Sequence, residues 1–247
     1  MALLQSERDG APMTFGAIAD AAFSAYGKRL PLYVALALAG FGLEFAVGII
    51  SPSRDSWHAF MLTGALLDAA IAGAVSYGVL ADANGDHPTN RAVLNRMLAR
   101  LGILFALELA GFEAGSVCTD LIFGPAAVTA YGLMTVPALL VLGFLPFPIV
   151  AAATNPDAPD LRLLGTSIAD AAAATFRLAV FGRVVLIGIL LLAQPLLGAV
   201  FEDLARAHHL HDPVFWAGTP LDAIIVGPLQ AFLTIFYQDL RHRQSPQ

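Results

Sequence analysis

The stretch AAVTAYGLMTVPALLVLGFLPFPIVAA, residues 126–152, runs for 27 positions without a charged side chain. A hydrocarbon core about 30 Å thick is crossed by about 20 helical residues, each rising roughly 1.5 Å. Residues 126–152 satisfy that length with several to spare, and they lack the alternation of a membrane-barrel strand. Working outward, five more stretches meet the same requirement: 31–50, 60–80, 101–123, 178–200 and 219–237. The expected fold is therefore all-α, a polytopic helical membrane protein of six transmembrane helices in one domain spanning 1–247.

Composition agrees. The chain is 57% hydrophobic and 13% charged, with a mean hydropathy of +0.72, against roughly a quarter charged residues in soluble domains. The net charge of −6 says little about partners, because acids and bases are segregated along the chain. Lys and Arg stand singly or in pairs beside apolar segments, which points to membrane-flanking charges and away from nucleic acid. The lone Cys118 excludes an intrachain disulfide and any cysteine-based metal site. No cofactor is implied. Residues 1–12 are polar and lack the apolar core and cleavage site of a secretory signal, so the N-terminus is expected to be retained.

Orientation follows from the basic residues of the short connections, which stay on the cytoplasmic side. Arg8, Lys28, Arg29, Arg91, Arg96, Arg100, Arg162, Arg177, Arg183, Arg241 and Arg243 fall on one side, and only Arg54 and Arg206 on the other. The expected topology is N-in and C-in, in a bacterial-type inner membrane.

Ahead of three of the spans lies an amphipathic stretch too polar to cross the bilayer, which predicts three interfacial helices. In the first, Phe15, Ile18, Ala22, Phe23, Tyr26 and Leu30 recur at helical spacing, with Thr14 as N-cap. The second covers 89–100, where Val93, Leu94, Met97 and Leu98 oppose Arg91, Asn95, Arg96 and Arg100. The third covers 161–176. The pentapeptide Ile18-Ala19-Asp20-Ala21-Ala22 returns as Ile168-Ala169-Asp170-Ala171-Ala172, and Val93-Leu94-Asn95 falls midway. This spacing suggests three repeats, 13–80, 89–152 and 161–240, each an interfacial helix followed by a hairpin.

Within the spans, Gly111 and Gly115 form a GxxxG, and Ala65, Ala69 and Gly73 form a small-residue ridge suited to close helix approach. Pro137, Pro146 and Pro148 remove backbone donors and predict a kinked or broken fourth span. Glu44, Asp68, Glu108 and Glu113 lie inside apolar runs. Ionisable groups there are costly and require a partner, a proton or a hydrated cavity. Glu44 and Asp68 fall at similar depth in antiparallel helices and, with Glu113, make a candidate cation or proton site. Asp222 lies just inside the outer end of the sixth span. In the outer loop, His208, His209, His211 and Asp212 form a candidate metal set, since imidazole and carboxylate suit zinc, copper or nickel. No nucleophile elbow, HExxH, P-loop, GxGxxG or paired-cysteine pattern is present. A membrane enzyme would have to assemble scattered groups such as Asp55, His58, His211 and Asp212.

Three segments carry a family resemblance: Phe15-Gly16-Ala17-Ile18 through Ala22-Phe23 and Tyr26; Phe147-Pro148-Ile149-Val150 leading to Gly165 and Ser167; and Tyr237-Gln238-Asp239-Leu240-Arg241-His242-Arg243. Together they resemble the membrane domain of glycerophosphoryl diester phosphodiesterases and related bacterial integral membrane proteins. In that family the phosphodiesterase chemistry belongs to a separate soluble barrel. Nothing in this chain resembles its Glu, Asp and His metal site, so the resemblance implies membrane architecture without the catalysis. Asp239, Arg241 and Arg243 are expected at the inner headgroups, where the two arginines can meet lipid phosphate. The leading expectation is a noncatalytic accessory, assembly or lipid-interaction component, whose partners are the lipid bilayer and other membrane subunits. A small permease using Glu44, Asp68 and Glu113, and a membrane enzyme with an outer-loop metal, are the alternatives.

Overall fold

The computed structural model describes residues 13–50, 56–123, 134–157, 159–192 and 213–242, and within them every regular element is helical. In chain order these are α1 (Phe15–Gly27), α2 (Leu30–Ile50), α3 (Ser56–Asn84), α4 (Asn90–Phe123), α5 (Thr135–Phe144), α6 (Pro146–Thr154), α7 (Leu161–Thr175), α8 (Phe181–Leu192) and α9 (Pro213–His242). Among the described residues three segments are long and apolar enough to cross a membrane: Leu62–Asn84, Asn90–Phe123 and Thr135–Thr154. Leu30–Gly40 and Phe181–Leu192 are apolar but shorter within the described residues.

Local chemistry sets the boundaries. Thr14 caps α1, its Oγ1 accepting from the Ala17 amide at 3.2 Å. Gly27 closes α1, and Pro31 in the first turn of α2 forgoes an amide that had no intrahelical acceptor. Past Asn84 the chain makes a Schellman turn: Asp86 N–H reaches Ala81 O at 2.9 Å and Gly85 N–H reaches Asp82 O at 3.4 Å. Gly85 sits at φ +90°, the left-handed conformation that this turn demands. Asp160 caps α7 by accepting from the Leu163 amide at 3.1 Å.

The second amphipathic stretch is not a separate helix. Residues 90–100 continue without a break into the apolar run, giving one helix of 34 residues. At about 1.5 Å per residue that is roughly 51 Å, well beyond the hydrocarbon thickness, so one end projects past it. The reason is local: no Pro or loop residue separates Arg100 from Leu101, whereas Gly27 and Pro31 part α1 from α2.

The expected break in the fourth span falls next to the prolines, at the junction of α5 and α6. Leu145, between α5 and α6, keeps right-handed helical angles (φ −50°, ψ −38°), and its amide still reaches Val141 O. Pro146 and Pro148 cannot donate to Leu142 O and Phe144 O, yet the residues on either side stay helical. Pro137 lies in the first turn of α5, where its missing donor costs nothing.

Helix α3 is the axis of the bundle, packing on α1, α2, α4, α6 and α9. The core around it joins Ile18 of α1, Val75 and Val79 of α3, Phe147 of α6, Val184 of α8 and Phe236 of α9, all buried. Where α5 meets α8 the backbones touch: a Cβ on Gly143 would stand 3.0 Å from the Val184 carbonyl carbon, and one on Gly188 would stand 2.9 Å from that of Leu139, with the oxygens nearer still.

The amphipathic segments bury residues at a common spacing. Ile18, Ala22 and Ala25 face inward on α1, Val93, Met97 and Arg100 on α4, and Ser167, Ala171 and Ala174 on α7. The first members are 75 and 74 positions apart, from 93 − 18 and 167 − 93. The identical pentapeptides are not in this register. Ile18 is fully buried while Ile168 is 42% exposed, so the inward faces are offset by 149 positions and the matching letters by 150.

Candidate functional site

The chemically dense part of the molecule is one end of the bundle, where the start of each hairpin meets its finish. Arg29 precedes α2 and reaches across to Asp82 near the end of α3, with Nη2 at 3.0 Å from Oδ1 and Nε on Oδ2. Its Nη1 also reaches Asn90 Oδ1 at 2.9 Å, and Nη2 reaches Pro88 O, which ties the turn into α4 to the same guanidinium. Asp82 is buried and takes a further contact from His87 Nδ1 at 3.0 Å. His87 holds φ +43°, a left-handed conformation that this seat sustains.

Arg100, fully buried in α4, donates to Ala152 O in α6 and to Asp157 O beyond it. Arg96, a turn earlier, donates to Asn155 O and lies over the Tyr77 ring at 5.5 Å. The third connection is Arg183 of α8 to Asp239 of α9, Nη1 to Oδ2 at 2.6 Å. The three pairs Arg29–Asp82, Arg100–Ala152 and Arg183–Asp239 span 53, 52 and 56 positions. Each arginine therefore closes the hairpin it opens.

Around the third pair the segments of the family resemblance converge. Phe15 stacks on Phe236 at 5.7 Å, and Phe147 stacks on Phe236 at 5.9 Å and on Tyr237 at 5.7 Å. The Arg183 guanidinium covers Phe15 and Phe236 at 5.3 and 5.2 Å from the ring centres. Asp239 also accepts from Met13 N at 3.2 Å, and Arg183 donates to Met13 O, so the start of the described chain is held by both members of the pair. Asp239 is buried and paired with Arg183, level with it in the antiparallel helix. Arg241 is exposed, and Arg243 lies outside the described residues.

A second polar feature crosses the bundle between α3 and α9. Gln230 Nε2 donates to Ser76 Oγ at 2.8 Å, Thr234 Oγ1 meets the same oxygen at 3.1 Å, and all three residues are buried. Interhelical hydrogen bonds of this kind hold helices together where both medium and side chains are apolar. Tyr26 stacks on Tyr33 at 4.9 Å, and Tyr33 seats its hydroxyl against Gly78 of α3. Burial raises the Tyr26 pKa above the usual phenolic value, which keeps its hydroxyl neutral.

Of the acids expected to form a cation site, the described side chains of Asp68 and Glu113 lie on different helices. Asp68 is half-buried on α3, whereas Glu113 is exposed on α4. Leu104 of α4 packs on the α3 residues Ala69, Ala72 and Gly73. Glu113, nine positions on, is turned about 180° from it at roughly 100° per residue. Glu113 therefore faces away from the helix that carries Asp68. The Glu44 and Asp222 side chains, together with His208, His209, His211 and Asp212, lie outside the described residues. Among the described residues no group of three or more His, Cys, Asp or Glu is placed to hold a metal ion. Of the small residues, Gly115 contacts Leu142 and Leu145 across α5, and Gly73 receives Leu104.

The buried pairings were missed in the sequence because Arg29, Arg100 and Arg183 read equally well as flanking charges. The available signal was depth: an arginine opening one span and an aspartate ending the next are level in an antiparallel hairpin. Comparison with protein-family profiles, with curated proteins and with solved structures finds no match.

Proposed function

We propose that the chain is a noncatalytic integral membrane protein acting as an accessory, assembly or lipid-interaction component. The observation that carries this reading is the use of its buried charge. Arg29, Asp82, Arg100, Arg183 and Asp239 are engaged in fastening helix ends to one another. Bonded ion pairs such as Arg29–Asp82 and Arg183–Asp239 confer registry and resist rearrangement, and removing one partner is costly. A protein with its buried charge so committed is suited to presenting a fixed surface.

The same reading takes the chain as a six-span protein of the bacterial inner membrane with both termini cytoplasmic. The arginine closures then lie at the cytoplasmic headgroups, with exposed Arg241 and its neighbour Arg243 toward anionic lipid. Three repeats of interfacial segment plus hairpin are supported by the 75- and 74-position offsets of the inward faces and by the three arginine closures. Kinship with the phosphodiesterase membrane domains is supported by the meeting of Phe15, Phe147, Tyr237 and Asp239 in one cluster.

The test is the native state of the protein. Extracted from its own membrane into polymer-bounded lipid discs, the chain should run in a complex heavier than its 25.9 kDa plus lipid and contain a second polypeptide. A lone chain that drives ion-dependent solute uptake in proteoliposomes would refute the reading.

A further inference from the structure

Helix α4 differs from the other long spans in how little of it the protein covers: 17% of its apolar window is buried, against 61% in both Leu62–Asn84 and Thr135–Thr154. Its outward face is not a random lipid-facing surface. Ala99, Gly102, Ala106, Ala110, Glu113 and Asp120 are all exposed, and at roughly 100° per residue they fall within about 80° of the helix circumference. The first four build a ridge of small side chains, and a Cβ added at Gly102 would meet no atom within 4 Å. Among the described residues Gly102 thus serves no packing, unlike Gly143 and Gly188.

The same stripe carries a carboxyl group at depth. Glu113 lies 12 positions beyond Leu101, about 18 Å along the helix from the start of the apolar run. Among the described residues no hydrogen bond or ion pair reaches it. The α4 arginines end at Arg100, 13 positions earlier, about 20 Å away. A carboxyl group exposed in hydrocarbon is expensive and calls for a polar or cationic partner. Lipid tails offer neither, and the neighbouring small-residue ridge lets another helix backbone come close enough to supply one.

Resting on the accessory reading above, we propose that this face docks a transmembrane helix of a different chain carrying a basic side chain level with Glu113. A second copy of this chain does not fit. Two copies related by an axis along the membrane normal would bring Glu113 onto Glu113 and Asp120 onto Asp120, like charge against like.

The experiment uses the full-length protein, labelled with an acceptor dye and reconstituted in phosphatidylcholine vesicles. The probe is a donor-labelled synthetic Leu/Ala helix bearing a Gly-xxx-Ala face and, at its centre, either Lys or Leu. The Lys probe should half-saturate energy transfer at a peptide-to-lipid ratio about tenfold lower than the Leu probe, the span of one interhelical polar contact. Glu113→Gln, nearly isosteric, should abolish that preference, and Gly102→Leu should weaken both probes while leaving the thermal midpoint of the protein unchanged. Equal binding of the two probes, a preference that survives Glu113→Gln, or energy transfer between labelled copies of the chain itself would overturn the proposal. A native complex that persists while the probe fails would place the partner elsewhere and leave the accessory reading standing.

Discussion

Replacing Gly188 by alanine should be among the most damaging single-methyl additions this protein can suffer. The new Cβ would stand 2.9 Å from the carbonyl carbon of Leu139 and 3.2 Å from its Cα, with the carbonyl oxygen closer still. Backbone atoms of a helix cannot rotate out of the way as a leucine tip can. Restoring an ordinary contact of about 3.5 Å between carbon atoms therefore requires α5 and α8 to separate by roughly 1 Å. A gap of that size forfeits about a quarter to a half of each contact it opens, so some 30 atom pairs at about 0.15 kcal/mol lose roughly 1–2 kcal/mol. Overpacking strain adds about 1–3 kcal/mol. For about 2–5 kcal/mol in all, the thermal midpoint should fall by roughly 4–20 °C on the soluble-protein scale for a chain of this length. Size-exclusion profiles after a graded heat step in detergent would measure it. Gly143→Ala should behave alike, because its Cβ meets Val184 in the reciprocal position. Gly102→Ala, with open space around it, is the control. The reasoning is refuted if Gly188→Ala and Gly143→Ala are no more destabilising than that control.

Three further outcomes are expected. Asp82→Ala should cost about 3–5 kcal/mol, because it strands the Arg29 guanidinium in a buried site, while the apolar pair Arg29→Met with Asp82→Leu should be markedly milder; thermal midpoints of the single variant and the double variant decide it. Ser76→Ala removes the shared acceptor of Gln230 and Thr234 and should lower stability by about 0.6–1.7 kcal/mol, with Thr234→Val adding less than its own separate cost. Cys118 is buried among Leu139 and Leu142, so a maleimide should label it slowly in the folded protein and rapidly in denaturing detergent; equal rates would contradict its placement.

The helical character of the chain is legible in its sequence, because the medium constrains it so tightly. Apolar length marks the three long apolar segments Leu62–Asn84, Asn90–Phe123 and Thr135–Thr154, and the polar stretch opening with Thr14 announces its own cap. Continuity was harder. Gly27 and Pro31 break α1 from α2, yet no comparable signal parts Arg100 from Leu101, and the expected second interfacial helix is the foot of a 34-residue helix. Proline content marks the break in the fourth span, which falls at Leu145 between α5 and α6, although Leu145 keeps helical angles. The polar chemistry was legible in type but not in pairing. Arg183 and Asp239 are 56 positions apart, and which of several level charges meet depends on helix rotation, which apolar composition leaves undetermined. The same ambiguity allowed Asp68 and Glu113 to be grouped, although they face different ways.

The Asp239 carboxylate that holds Met13 bridges 226 positions. During synthesis the arginine closures of the hairpins can form one after another, each as soon as its own second helix has emerged. The seat of α1 cannot, because half of it belongs to α9. At about 5–20 residues per second, α1 waits some 10–45 seconds for its clasp, and a chain halted ahead of α9 leaves Met13 without the carboxylate that seats it.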